Sequence, residues 1–257
     1  MSDRIDEVTR AIEAAGGHAI CAYVTAGYPS LEAFPGVLAA VAGAADIVEV
    51  GVPFTDPMAD GQTIQKASHE ALEGGVNLDY VFSTLGDADL AAPHLLMGYY
   101  NPFLAFGIDR LVDAMADAGT AGLIVPDLPF EESGDLSTAL ETRGQGLVQL
   151  VSPTTPDQRL ARLAATSLGF VYAVTTKGTT GSTTRFDAEV LEYLDRVKAV
   201  SRLPVLAGFG VRERSQVVAL SGHVDGVVVG SALIDALDRG EDPGEFLEGL
   251  RPLEVVS

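Results

Sequence analysis

Short β-branched, apolar runs alternate with longer segments whose apolar positions recur at helical spacing, from one end of the chain to the other. The strand-like runs cover residues 19–25, 46–50, 95–99, 122–125, 146–151, 170–174, 204–207 and 226–229. Helical patterns lie between them at 31–41, 64–72, 108–118, 132–142, 158–165, 188–200 and 212–220, each able to return the chain for another parallel strand. Several strands are apolar at every position, as parallel strands covered on both faces are. About eight strands is the number a closed parallel barrel uses. The pattern therefore predicts an α/β fold, a (β/α)8 TIM barrel forming one domain over residues 1–257. An additional N-terminal helix, over residues 5–15, is expected to close the bottom of the barrel. Periodicity does not show closure, so a doubly wound open sheet remains the alternative.

Composition narrows the class. Of 257 residues, 47% are hydrophobic, enough for a sizeable core, and no composition shift or low-complexity linker marks a domain boundary. Thirty-six acidic residues against 16 basic ones give a net charge of -20. That balance excludes the nucleic-acid binders, which need a basic stripe; it fits either adaptation to high salt or an ordinary acidic surface. No apolar run approaches the roughly 18 residues that would span a bilayer, and the charged N-terminus is unlike a signal peptide, so a cytoplasmic protein is expected. The single Cys21 sits in an apolar run and reads as a buried thiol. His18, His69, His94 and His223 are scattered without ligand spacing, so no metal site is expected.

The chemistry concentrates after the second strand. An acid inside an apolar strand is costly to ionise, and Glu49 therefore reads either as a structural carboxylate or as a proton-transfer group. Asp60 follows on a loop punctuated by Pro53, Pro57 and Gly61, at the strand ends where barrel enzymes place their chemistry. By itself it reads as a turn or cap residue, and so does Asp56. Three glycine-bearing turns follow the last strands: Lys177-Gly178-Thr179-Thr180-Gly181, Gly208-Phe209-Gly210 and Gly230-Ser231. Backbone without a Cβ lets phosphoryl oxygens approach closely, and helix-start amides favour an anion, so a phosphate site is expected there. Ser231 either donates its hydroxyl to that site or caps a short helix beginning near Ala232.

The run Val48-Glu49-Val50-Gly51-Val52-Pro53-Phe54, followed by Asp56-Pro57-Met58-Ala59-Asp60-Gly61 and Thr63-Ile64-Gln65, closely resembles the signature of the tryptophan synthase alpha-subunit family. Tyr23-Val24-Thr25-Ala26-Gly27, Tyr99-Tyr100-Asn101-Pro102, Val125-Pro126-Asp127-Leu128-Pro129 and Gly208-Phe209-Gly210 support it in order along nearly the whole chain. The resemblance implies retro-aldol cleavage of indole-3-glycerol phosphate to indole and glyceraldehyde 3-phosphate, with Glu49 as the principal proton-transfer group and Asp60 at the indole nitrogen. It further implies that Tyr172 lies near Glu49 and that Phe209 packs on the indole ring. Thr180 would belong to a closing loop, and Gly181, Gly210, Gly230 and Ser231 would hold phosphate. No cofactor is implied in this chain; pyridoxal phosphate is expected on a partner beta subunit in an α2β2 complex, with rim segments 56–58 and 101–103 as interface candidates. Gln62 stands where proline is usual, Tyr28 where aspartate is common, and residues 176–181 depart from the usual loop, changes that touch closure and coupling more than chemistry. Three rivals remain: a Schiff-base aldolase using Lys177, a weakly catalytic regulatory subunit, and a stand-alone indole-releasing lyase.

Overall fold

In a computed structural model, which describes residues 4–175, 186–208 and 210–253, eight parallel strands close into a barrel in sequence order, β8 returning to pair with β1. They are β1 Ala19–Thr25, β2 Ile47–Gly51, β3 His94–Met97, β4 Gly122–Ile124, β5 Gly146–Val151, β6 Val171–Val174, β7 Val205–Gly208 and β8 Gly226–Val229. Closure decides between the barrel and the open sheet. The described helices are α1 Arg4–Ala14, α2 Phe34–Ala44, α3 Gln62–Glu73, α4 Leu78–Asp87, α5 Tyr100–Phe106 and α6 Ile108–Asp117, then α7 Gly134–Glu141, α8 Asp157–Thr166, α9 Ala188–Val200, α10 Arg214–Leu220, α11 Ser231–Asp238 and α12 Pro243–Leu250.

Strands β1, β5 and β8 have the bounds that periodicity predicts, and the others shift by one or two residues. The helix expected at 31–41 starts three residues later, because Pro35 lacks an N–H and suits the first turn, not the interior. Apolar spacing does not reveal α4 and α12; each begins at a side-chain cap, Asn77 accepting from Tyr80 N at 2.9 Å and Asp242 from Glu245 N at 2.8 Å.

Successive residues of each strand face opposite ways, and the core divides accordingly. Cys21, Tyr23, Ile47, Leu95, Tyr172 and Val228 belong to an inner cluster, whereas their neighbours Ala22, Val48, Leu96, Val171 and Val227 belong to the larger cluster under the helices. Ile5, Val8 and Ile12 of α1 join the inner cluster, so that helix plugs the end of the barrel opposite the site. Each such side chain contributes roughly 1.5–3 kcal/mol of burial. Gly146 and Gly169 make room for it: a Cβ on either would lie 2.6 or 2.9 Å from Ile5. Among the described residues, no helix is long and apolar enough to cross a membrane.

Candidate active site

Glu49 sits on the inner face of β2, paired in register with Tyr23 of β1 and Leu95 of β3, and is completely buried. Cys21 Sγ, two residues before Tyr23 on the same inner face, donates to Glu49 Oε2 at 3.9 Å. Oε1 has no hydrogen-bond partner among the described residues. A carboxylate so deprived of water and donors resists ionisation; burial first, then the charge of Asp60, push the Glu49 pKa up to about 8. Glu49 therefore holds its proton at neutral pH. Burial and the neighbouring Glu49 charge also raise the Cys21 thiol well above its usual range, so it is a weak donor and no nucleophile.

Asp60 arrives from the loop that leaves β2. Its N–H donates to Pro57 O at 3.2 Å, closing a turn, and the chain enters α3 through Gly61. Tyr99, beyond the end of β3, holds the carboxylate: its hydroxyl accepts from Ala59 N at 2.8 Å and donates to Asp60 Oδ2 at 3.1 Å. The Tyr99 ring leans on Phe54 at 5.2 Å between centroids, so one phenol ties the second and third loops together. Burial raises the Asp60 pKa to about 6 against the opposing pull of the Tyr99 bond. At pH 7 the pair is thus mostly a neutral acid beside a carboxylate anion, two acids driven to different roles by their surroundings.

Two glycines seat the aromatic walls. A Cβ on Gly51 would collide with the Tyr23 hydroxyl, and one on Gly208 would collide with the Tyr172 ring. With those positions bare, Tyr23 and Tyr172 line the same cavity as Glu49 and Asp60. Burial and the Glu49 charge raise the Tyr172 phenol well above its usual range, keeping it a neutral hydrogen-bonding group. Gly210, Gly230 and Ser231 line the cavity from the β7 and β8 ends. Gly210 has φ of 97°, a conformation that favours a residue without a side chain.

Ser231 is not the cap of α11. Gly230 holds that position, Ser231 is the first helical residue, and its hydroxyl instead accepts from Arg212 Nη1 at 3.4 Å. Gly230 and Ser231 bring the N-terminal end of α11 to the cavity, and the first amides of a helix lack partners within it. Free space between these groups is about 30 Å³, room for water only. A second cavity of about 480 Å³ opens beside it, bordered by Ala59, Val125, Leu150 and Val174.

Of the residues singled out from sequence, Glu49, Asp60, Tyr172, Gly210, Gly230 and Ser231 meet at this one cavity. Thr180, Gly181, Phe209 and Lys177 lie outside the described residues. Tyr23, Tyr99, Cys21 and Arg212 were not singled out as site residues. Tyr23 and Tyr99 stand inside motif segments, and the inward parity of β1 would have exposed the first. The rim candidates need one correction. Met58 is 79% exposed, but Phe103 is fully buried and its neighbour Leu104, 53% exposed, takes the outward position. Residue 103 lies on α5, whose inward side it occupies.

A family model described as tryptophan synthase alpha chain matches residues 10–249. Two proteins named tryptophan synthase alpha chain are similar at full length. That of Nitratidesulfovibrio vulgaris (strain DP4) is 43% identical, covering 96% of this chain and 97% of its own; that of Solidesulfovibrio magneticus is 44% identical, covering 93% and 95%. Among solved structures, tryptophan synthase of Mycobacterium tuberculosis superposes with a TM-score of 0.88 at 36% identity, covering 98% of this chain and 100% of that one. A chain of the tryptophan synthase α2β2 complex of the hyperthermophile Pyrococcus furiosus superposes with a TM-score of 0.83 at 35% identity, covering 91% and 97%.

Proposed function

The chain belongs to the tryptophan synthase alpha chain family, and we propose that Glu49 and Asp60 perform its reaction, the cleavage of indole-3-glycerol phosphate to indole and glyceraldehyde 3-phosphate. The enzyme is a carbon–carbon lyase of tryptophan biosynthesis. The observation that carries the residue assignment is a completely buried Glu49, with one oxygen unpartnered among the described residues, sharing a cavity with Asp60, Gly210, Gly230 and Ser231.

Cleavage needs a proton at indole C3, which interrupts the aromatic system and leaves positive charge at N1. Neutral Glu49 gives that proton, and ionised Asp60 either balances the charge or takes the N1 proton. The Glu49 carboxylate so formed then removes the proton of the C3' hydroxyl. The oxyanion collapses to the aldehyde, the C3–C3' bond breaks, and its electron pair restores the indole, Asp60 returning the N1 proton wherever it has taken it. Glu49 ends protonated as it began, so one residue serves as acid and base without a net proton. Tyr172 lies beside it, and the indole ring takes the larger cavity against Val125, Leu150 and Val174. Gly210, Gly230 and Ser231 hold the phosphate with amides and one hydroxyl. Gly181 joins them, Phe209 packs on the indole and Thr180 belongs to the closing loop; these three roles rest on family resemblance alone.

The enzyme pairs with a tryptophan synthase beta subunit, to which indole passes. We place the catalytic chain in the cytoplasm and assign it no cofactor, pyridoxal phosphate belonging to the beta subunit. Indole release is measured on the wild type, Glu49→Gln and Asp60→Asn, with and without a beta subunit. Both replacements are expected to abolish or severely reduce release while glycerol 3-phosphate still binds. Near-normal release by Glu49→Gln would overturn the assignment.

A further inference from the structure

The cavity that takes the phosphate has an electrostatic problem. It already holds Glu49 and Asp60, and the chain carries a net charge of -20. Among the described residues, no lysine or arginine lines it. Main-chain amides offer only fractional charge, about half a unit at a helix start. A dianion entering beside two carboxyl groups calls for a full positive charge nearby, and one stands at the lip.

Arg212 lies two residues beyond Gly210, in the turn that leads from β7 to α10. Its Nη1 donates to the Ser231 hydroxyl at 3.4 Å, a loose contact, while Nη2 is clamped on the Asp235 carboxylate one turn further along α11. Thr63 Oγ1 of α3 donates to the other Asp235 oxygen at 3.2 Å, fixing the clamp from a second helix. The Arg212 backbone is fixed too, its N–H donating to Gln216 Oε1 at 2.7 Å. The guanidinium is thus anchored by one nitrogen and presents another to the very hydroxyl that faces the cavity. A planar fork of five donors can keep a carboxylate on one side and meet a phosphoryl oxygen on the other.

We propose that Arg212 is the charge-bearing residue of the phosphate grip, held by Asp235 so that Nη1 donates to a phosphoryl oxygen seated between Ser231 and the Gly210 and Gly230 amides. The assignment rests on the phosphate reading of that cavity given above. Arg212 makes the site prefer the dianion of a phosphate monoester over the monoanion, since the second negative charge is what the guanidinium meets. Asp235 is a positioning residue and touches no ligand. The rival role, a staple between α10 and α11 with no part in binding, makes different demands on the same variants.

The test measures glycerol 3-phosphate and indole binding to the wild type, Arg212→Gln and Arg212→Lys by calorimetry from pH 5 to 8, with melting temperature as the folding control. Wild-type affinity for glycerol 3-phosphate is expected to climb through the second phosphate ionisation, near pH 6. Arg212→Gln loses about tenfold at pH 8 and much of that climb, Arg212→Lys falls between, and indole binds all three alike. In turnover, the KM for indole-3-glycerol phosphate rises by a similar factor, with kcat within about threefold. Unchanged glycerol 3-phosphate affinity in Arg212→Gln overturns the proposal, and so does an equal loss for indole and for the phosphate ester, which is the staple's signature. A wild type that binds indole but no phosphate ester at any pH overturns the phosphate reading beneath it as well.

Discussion

Replacing Glu49 by Gln should cost the enzyme its activity and make its fold more tolerant of alkali. The Glu49 carboxyl has a pKa near 4.5 in an open chain and about 8 in the folded one. Below pH 4.5 both states carry the proton and the group has no effect on the folding equilibrium. Between 4.5 and 8 the unfolded chain releases it and the folded chain keeps it, so the unfolded state binds fewer protons and stability falls as pH rises. The stability present below pH 4.5 is lost at about 1.4 kcal/mol per pH unit, up to about 4–5 kcal/mol across the window, and the loss levels off above the folded pKa. A glutamine in its place would not titrate. The new amide has a fixed cost of roughly 1–3 kcal/mol if its polar atoms stay unpaired, but that cost does not change with pH. The quantity to follow is therefore the difference in unfolding free energy between variant and wild type, from urea melts in half-unit steps between pH 5 and 9. It should climb in favour of the variant to about pH 8 and then flatten, while indole release falls by roughly 10²–10⁴-fold throughout. A difference that is flat with pH would mean Glu49 ionises in the fold as it does in water, and a group already ionised at neutrality could not give indole its proton.

Asp60→Asn removes the negative charge facing N1 and should lower kcat by roughly 10²–10⁴-fold with glycerol 3-phosphate affinity intact, a contrast that steady-state kinetics and calorimetry separate. Tyr99→Phe deletes the donor that restrains the Asp60 pKa, now at about 6. The acidic limb of the kcat/KM profile should move to higher pH, and an unmoved limb would show that Tyr99 does not set the ionisation of Asp60. Gly208→Ala drives a methyl toward the Tyr172 ring; overpacking of about 1–3 kcal/mol should lower Tm in a thermal melt and raise the KM for indole-3-glycerol phosphate.

Much of this architecture was legible because parallel strands covered on both faces leave a clear trace: β1 and β8 stand out as apolar runs with glycine or a polar residue at their edges, and β5 is broken only by Gln149. Glu49 was legible for the converse reason, as a charge where the pattern calls for a methyl group. What stayed hidden depends on distance in space rather than in sequence. Tyr99 is 39 residues from Asp60, and Arg212 is 19 from Ser231; nothing in the local spacing of either announces the partner. Ser231 was open between two roles, and only the geometry shows Gly230 taking the cap and leaving the hydroxyl to Arg212. Phe103 was misplaced on the rim because a motif read letter by letter does not reveal that the chain has turned into α5, whose inward side it occupies.

The pairing of β2 between β1 and β3 restricts where an acid can live in this molecule. Positions 47, 49 and 51 face the barrel axis, the last a glycine, and the side chains of 48 and 50 look toward the helices. The inward addresses are about 6.6 Å apart, one occupied by a packed isoleucine and another vacant only because a tyrosine needs the room. Proton transfer in such a cylinder has no sliding scale: a lineage that gains or loses one residue within β2 does not nudge its acid but turns it to the wrong wall.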